Sequence, residues 1–379
     1  MEAGRMSRVG RDVASALFGS NGQIGVTRGV AEFHAGRPVL VSSGCETILA
    51  LPVERLDATR LREFMGLCPP ALPCLAITER RARALGFDTD TATKLRFSSK
   101  PRAETILAFV AGAKPHRRVA AIPAGAAAEA AIELAKLSQD LPAVLVAELV
   151  SADAIASKHQ IVVIEAQSVA YFRAETIASL RIASRAFVPL KSGSRADFVV
   201  FRDDRGESPV AIVIGKLDVS KPVPVRVHSA CLTGDVFGSR RCDCGDQLTL
   251  SLNRLEEQYG GIVLYLPQEG RGVGLANKMR CYQMQDEGLD TIDANTTLGF
   301  EEDERDYRIA ARMLQMLDCT RIILMTNNPA KLAGLAEAGI EIAGRVPIEA
   351  PINGDNRRYL KAKAARAGHR LSPTLLSAP

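Results

Sequence analysis

The sequence predicts an α/β (α+β) protein of two domains, an N-terminal α/β domain and a C-terminal domain on a mixed sheet. Three observations carry this. The 379 residues exceed what one core ordinarily holds, at about 100–200 residues per domain. Short apolar runs alternate with helix-period segments along both halves. The character of the chain changes near residue 177, from alanine-rich scaffold to a half punctuated by cysteine, glycine and charged clusters. The expected domains are therefore 1–176 and 177–379.

In the first half, RPVLV (37–41), LPCLAIT (72–78), PAVLVAELV (142–150) and QIVVIEA (160–166) read as buried strands, with helices at 105–112 and 129–138 between them. Between about 174 and 209 the chain is mixed and polar, with loops at 192–195 and 203–208 around the strand 197–201. VPVRVHS (223–229) then alternates as a half-buried strand. Leu248, Leu252, Leu255 and Tyr259 fall at helical spacing, and GIVLYL (261–266) is the next strand. Helices follow at 274–287 and around Ile309, Met313 and Leu317. RIILMT (321–326) is a buried strand, and 329–339 is a helix with Pro329 in its first turn. Ligands are expected at the strand C-terminal ends.

Composition excludes several functions. With 47% hydrophobic and 24% charged residues and no tryptophan, the chain reads as soluble and globular. No apolar run approaches the ~18–20 residues of a membrane span, so no membrane role is expected. The N-terminus is polar and lacks an uninterrupted apolar leader region, which predicts a cytoplasmic protein with reduced thiols. A net charge of +5 suits an anionic small molecule and is too weak to argue for nucleic acid.

Four motifs could carry chemistry. Cys231, Cys242 and Cys244 are spaced Cys-x10-Cys-x-Cys. On an extended segment Cys242 and Cys244 would point the same way, and the intervening loop could return Cys231 to face them. Three thiolates suit zinc and leave a fourth tetrahedral position for water; His228 as a fourth ligand would close the site instead. Three unrelated cysteines are the plain alternative. Arg240 and Arg241 are expected to favour the thiolates. PQEGRGVGLANK (267–278) is a glycine-rich turn between a strand and a helix, with Arg271, Lys278 and Arg280 as cations; it fits an oxyanion, or simply a solvated turn. DERD (303–306) sets Asp303 and Arg305 ahead of a helix, for phosphate or proton work or as ordinary dipole complements. TNNPAK (326–331) puts Asn328 as a cap and Lys331 in a first helical turn, an anion site or a plain helix start.

In this order the motifs RVHSACLTGDVFGSRRCDCGDQL, LPQEGRGVGLANKMRCYQMQDEGLDT, LGFEEDERDY and MTNNPAK resemble GTP cyclohydrolase II of riboflavin biosynthesis, over about 177–370, including Tyr359, Leu360, Lys363, Gly368 and His369. The resemblance implies ring opening of GTP with release of formate from C8, and cleavage of the triphosphate with release of pyrophosphate. It implies Zn2+ on Cys231, Cys242 and Cys244, which demotes His228 as a ligand, and Mg2+ with the phosphates. It implies Asp303 as acid/base residue, Arg305 as nucleophile toward the α-phosphate and Tyr282 near the ring-opening site. Because a guanidinium stays protonated, charge stabilisation at phosphorus is the role expected of Arg305. Nucleotide contacts carry over to Arg226, Val227, His228, Ser229, Gln247, Glu269, Gly270, Arg271, Thr291, Thr326 and Lys331. Two positions depart from the family pattern: Ala230 stands where glutamate is usual, and Pro267 where arginine is common.

The first half, in the order GRPVLV, CLAITERRARALGF, FVAGAKPHRR, PAVLVAELV and HQIVVIEAQSVAYFR, resembles 3,4-dihydroxy-2-butanone 4-phosphate synthase. The family's acidic loop is replaced by SSGCET (42–47), with Glu46 its only acid, and its histidine-bearing segments by residues 116–135. Clustered carboxylates that would hold a hard cation are missing, so no synthase activity is expected. The related fold pairs as a dimer, which implies a homodimer with a scaffolding first half. Three readings follow: a zinc-dependent cyclohydrolase with a degenerate first domain, a bifunctional enzyme that also makes the dihydroxybutanone phosphate, and a non-catalytic GTP-binding zinc protein.

Overall fold

The computed structural model describes residues 19–357 save 45, 69–71, 113–118, 150–151 and 259. Tyr259, Cys45 and the terminal pattern at Tyr359, Leu360, Lys363, Gly368 and His369 therefore lie outside the described residues. The chain forms two compact units. One ends at Glu175 and also takes Thr296–Phe300; the other runs from Thr176 to Asn295 and resumes at Glu301.

The first unit begins with α1 (Asn21–His34), capped by Ser20, whose hydroxyl accepts from the Gln23 amide at 3.0 Å. Then come β1 (Val39–Ser43), β2 (Glu46–Pro52), α2 (Ala58–Gly66), β3 (Cys74–Ile77), α3 (Glu79–Ala84), β4 (Thr93–Arg96) and α4 (Ala103–Ala111). The unit continues with β5 (Ala120–Pro123), α5 (Ala126–Leu137), β6 (Ala143–Glu148), α6 (Ala152–His159), β7 (Val163–Glu165) and most of α7 (Ala166–Ala178). Its sheet has the order β5-β4-β3-β6-β2-β1-β7, antiparallel except where β7 runs parallel to β1. The alanines of α5 explain its place: Ala127, Ala128, Ala131 and Ala135 are fully buried, and such small side chains let the helix lie close on the sheet among Val39, Val41, Ala50 and Val144.

One buried cation organises this unit. Arg81, 1% exposed, donates to the carbonyls of Phe109, Thr297 and Gly112, each at 2.7 Å. Thr78 donates to Gly299 O at 2.8 Å. Burial lowers the Arg81 pKa to about 10, and the carbonyls compensate a guanidinium that has no carboxylate partner among these bonds.

The second unit contains β8 (Arg181–Pro189), β9 (Arg195–Arg202), β10 (Val210–Gly215), β11 (Val223–Ser229), α8 (Cys244–Glu257), β12 (Gly260–Leu266) and α9 (Leu275–Asp286). It continues through the start of α10 (Thr291–Thr297) to α11 (Arg308–Met316), β13 (Arg321–Met325), α12 (Pro329–Glu337) and β14 (Glu341–Val346). Its sheet order is β14-β13-β11-β12-β10-β9-β8, parallel through β12 and antiparallel beyond it. The strand alternation of VPVRVHS divides the two faces. Val223, Val225 and Val227 enter the core with Ile309, Met313 and Leu314, while Arg226 and His228 go to the opposite face. That face carries the candidate site, at the C-terminal ends of β11, β12 and β13.

Candidate active site

Cys231 lies two residues past the end of β11, and the chain then coils through Leu232–Val236 in a single wide turn, with Asp235 N donating to Cys231 O at 2.7 Å. Cys244 opens α8 and Cys242 sits in the turn before it. The two thiols thus converge through a turn into a helix, where the sequence suggested an extended segment. All three sulfurs lie within 4.8 Å of one another, with Cys231 Sγ and Cys242 Sγ 3.7 Å apart. Gly234 closes over them. A Cβ there would stand 2.9 Å from Cys242 Sγ, 3.1 Å from Cys231 Sγ and 3.1 Å from Cys244 Cβ, so only glycine fits. Three converging sulfurs on a fitted backbone are a donor set for a soft divalent metal such as zinc. His228 does not join them; its Nε2 meets the Asp235 carboxylate at 3.1 and 3.2 Å.

The cation at the thiols is Lys278. Its Nζ lies 3.1 Å from Cys231 Sγ, 3.0 Å from Thr233 Oγ1 and 2.9 Å from Glu269 Oε1. Bonds from the two neighbouring thiols, with Lys278 beside it, hold the Cys231 pKa far below the usual thiol value, whereas Cys242 and Cys244 are raised as the partners that keep their protons. The arginines expected in this role go elsewhere. Arg240 pairs with Asp355, and Arg241 pairs with Asp286 and lies 4.4 Å over the Tyr282 ring.

Asp235 is a hub that the sequence did not announce. It accepts from His228, from Tyr265 OH at 3.0 Å and from Cys231 N at 2.9 Å, so one carboxylate fixes an imidazole and the backbone of one of the three cysteines. The β11–β12 register pairs His228 with Tyr265, and their rings stack at 5.5 Å. Burial lowers the His228 pKa. Next to it, Arg226 donates to Met325 O at 3.0 Å and to Gln247 at 2.6 Å, and burial lowers its pKa to about 10.

The glycine-rich turn is a real backbone device. Gly270, Arg271, Gly272 and Gly274 all have positive φ, +62°, +65°, +91° and +87°. A Cβ on Gly272 would stand 2.9 Å from the Glu304 carbonyl carbon, so that glycine lets the turn lie against the DERD segment. Glu304 N donates to Arg271 O, Arg271 donates to Glu302 O, and Gln268 donates to Asp306 O, at 3.1, 3.1 and 3.0 Å. Within DERD, Arg305 forks onto Asp303 with two bonds of 2.7 Å, and Tyr307 OH and Arg305 N also donate to that carboxylate. Burial raises the Asp303 pKa, but Arg305 outweighs burial and the carboxyl settles at about 2. Asp303 is therefore an ionised anchor at neutral pH.

TNNPAK ends β13 and starts α12. Asn328 caps the helix by accepting from Ala330 N at 2.9 Å, and Lys331 reaches Val227 O at 2.7 Å.

One cavity gathers most of the expected residues: Arg226, His228, Ser229, Cys231, Cys242, Cys244, Gln247, Glu269, Gly270, Arg271, Tyr282, Arg305, Thr326 and Lys331. Val227 is fully buried in the core and offers the site only its carbonyl. Asp303 stands behind Arg305 and does not line the cavity. Of Thr291 only the backbone is described. Ala230 lines the wall, so the carboxylate usual in the family pattern would face the cavity. Beyond the expected set, Asp243, Gln268, Lys278, Cys281, Gln285, Asn295, Asn327 and Asn328 also line it. Of these, only Lys278 and Asn328 carried a signal in the sequence, as a cation in the glycine-rich motif and as a helix cap.

A three-sulfur cluster that could hold a metal, beside Arg and Lys side chains at the strand ends of a mixed sheet, fits an enzyme site for an anionic substrate. The GTP cyclohydrolase II family model matches residues 181–347. The chain is 39% identical over 360 residues to the GTP cyclohydrolase-2 of Azospirillum brasilense, covering 91% of this chain and 93% of that one. It is 37% identical over 358 residues to the GTP cyclohydrolase-2 of Xylella fastidiosa strain Temecula1, covering 93% and 89%. This chain belongs to the GTP cyclohydrolase II family and is an enzyme of that family. Among solved structures it is similar to a two-domain 3,4-dihydroxy-2-butanone 4-phosphate synthase from A. baumannii, at 16% identity and a TM-score of 0.34, covering 86% of this chain and 99% of that one. No helix among the described residues is long and apolar enough to cross a membrane.

Proposed function

We propose that this enzyme hydrolyses GTP to 2,5-diamino-6-(5-phosphoribosylamino)pyrimidin-4-one, formate and pyrophosphate, the first step of riboflavin biosynthesis. The observation that carries the reading is the presence of the three thiols and the Arg305 guanidinium in one cavity. A single substrate can then meet ring chemistry at one end and phosphate chemistry at the other.

Cys231, Cys242 and Cys244 would hold Zn2+. Zinc so held supplies a Lewis acid that makes water nucleophilic near neutral pH. Tyr282 faces the same space and orients the base or the attacking water. Arg305 stabilises charge at phosphorus: the forked bond to Asp303 keeps its guanidinium protonated and aimed, which favours electrostatic work over nucleophilic attack. Asp303, with four hydrogen bonds to its two oxygens, acts through Arg305 as a positioning residue. Arg226, Lys331, Thr326 and the glycine turn at Glu269–Arg271, with Ser229, Gln247 and His228, line the cavity as the remaining nucleotide contacts. Thr291 is expected to join them, and Mg2+ to accompany the triphosphate.

In the first unit, Glu46 lies 3.8 Å from Lys94, so the one acid of the segment 42–47 faces a cation. We therefore read this unit as scaffold without synthase chemistry, in a cytoplasmic homodimer. The test is product analysis by mass spectrometry with GTP, zinc and magnesium. Formate, pyrophosphate and the pyrimidine are expected, and purified protein that forms none of them would overturn the reading.

A further inference from the structure

Lys278 stands out as a buried cation to which the proposed reaction gives no part. It lies on α9, is 9% exposed, and its ammonium makes three polar contacts: Cys231 Sγ, Thr233 Oγ1 and Glu269 Oε1. An ammonium has three donors and no acceptor, so this set uses it completely. Glu269 is tied in turn to the thiol segment and the glycine turn. Its Oε2 accepts from Leu232 N at 2.6 Å and its Oε1 from Gly270 N at 2.9 Å. A lysine removed from water in this way is held by paired charge, and its removal leaves the half-buried Glu269 carboxylate with its backbone donors but without this cation.

The chemistry of the thiol centre gives this cation a task. Three thiolates around a divalent ion leave one surplus negative charge and donate strongly, which weakens the ion as a Lewis acid. A hydrogen bond to a ligand sulfur withdraws part of that donation, and outer partners of this kind tune metal affinity by about 10–100-fold.

We propose that Lys278 is a positioning residue of the metal centre: its ammonium offsets the surplus charge of the three-sulfur site through Cys231 and holds the Glu269 carboxylate at the wall of the substrate cavity. This rests on the reading that the three cysteines bind a metal.

The test compares the full-length parent with Lys278→Met and Lys278→Arg, each loaded with Zn2+ and, separately, with Co2+. Zinc affinity is read by chelator competition, and the sulfur-to-cobalt charge-transfer band by absorption. The parent binds one metal per chain. The Met variant loses about 10–100-fold in affinity and its band moves to longer wavelength, because an unbridged thiolate is more electron-rich. The Arg variant keeps the charge, so its band stays closer to the parent's than to the Met variant's. A Met variant with parental affinity and band position overturns the inference while leaving the metal site intact. If the Met variant does not fold, an Arg variant that departs from the parent by a loss and band shift of the size expected for Met overturns it as well. A parent that binds no metal overturns the underlying reading of the cysteines.

Discussion

Gly234 shows how narrowly the site is specified at the level of single residues. It carries no functional group, yet its missing Cβ is what lets three sulfurs approach one another. Gly234→Ala should strain the loop by about 1–3 kcal/mol, the ordinary cost of forcing a methyl group into close packing. Zinc content after dialysis should fall well below one per chain, and the thermal midpoint should drop. Parental zinc content would show that the glycine has no such role. This requirement was invisible in the sequence, where Gly234 is one of 30 glycines. The cysteines themselves were legible, because their spacing is local and their chemistry is specific. Lys278 was seen only as a cation in a glycine-rich motif; its contact with Cys231 spans 47 residues and depends on how α9 sits over the turn.

Among the elements, the second sheet explains why motifs far apart in sequence share a cavity. β11, β12 and β13 are neighbours running in parallel, so the segments that leave their C-terminal ends must meet. The α12 start depends on this placement. Asn328→Ala removes the bond to Ala330 N and should cost about 1 kcal/mol, the usual value of such a cap. Because Lys331 lies in the same first turn, the KM for GTP should rise more than the stability loss alone explains. A kinetic comparison with GTP as the varied substrate checks this, and an unchanged KM would separate the cap from the site. One strand that periodicity failed to reveal has a plain physical reason. β8 is an edge strand whose nine residues are all exposed, so no face is selected for apolar side chains and no alternation is written into the sequence. β11 was legible as a strand from its alternation, but where that alternation suggested one exposed face it is buried on both faces at its centre.

The whole molecule divides its work unequally. The proposed chemistry gathers in the second unit, while the first retains a complete sheet and an alanine-packed helix. It also takes in Thr296–Phe300, a few residues ahead of Asp303 in the chain. Arg81 holds that segment through a bond that spans 216 residues, which no local pattern could signal. Arg81→Leu removes the donor to one buried and two part-buried carbonyls and should cost about 1–3 kcal/mol, the usual penalty of one buried unsatisfied group. The urea midpoint of the full chain should fall clearly, and an unchanged midpoint would remove Arg81 from the architecture. The two-domain α/β reading was legible from length and rhythm. The return of the chain from the second unit into the first was not, because it is a property of tertiary packing.

One cavity is proposed to join thiol-held metal chemistry on the guanine ring to arginine chemistry on the phosphates. Simultaneous measurement of formate and pyrophosphate from GTP, in the parent and in Cys242→Ser, tests it most directly. The parent should release both products, and the variant should lose formate release by far more than pyrophosphate release, since Arg305 and Asp303 remain in place. Formate released by Cys242→Ser at the parental rate would show that the three thiols have no part in ring opening.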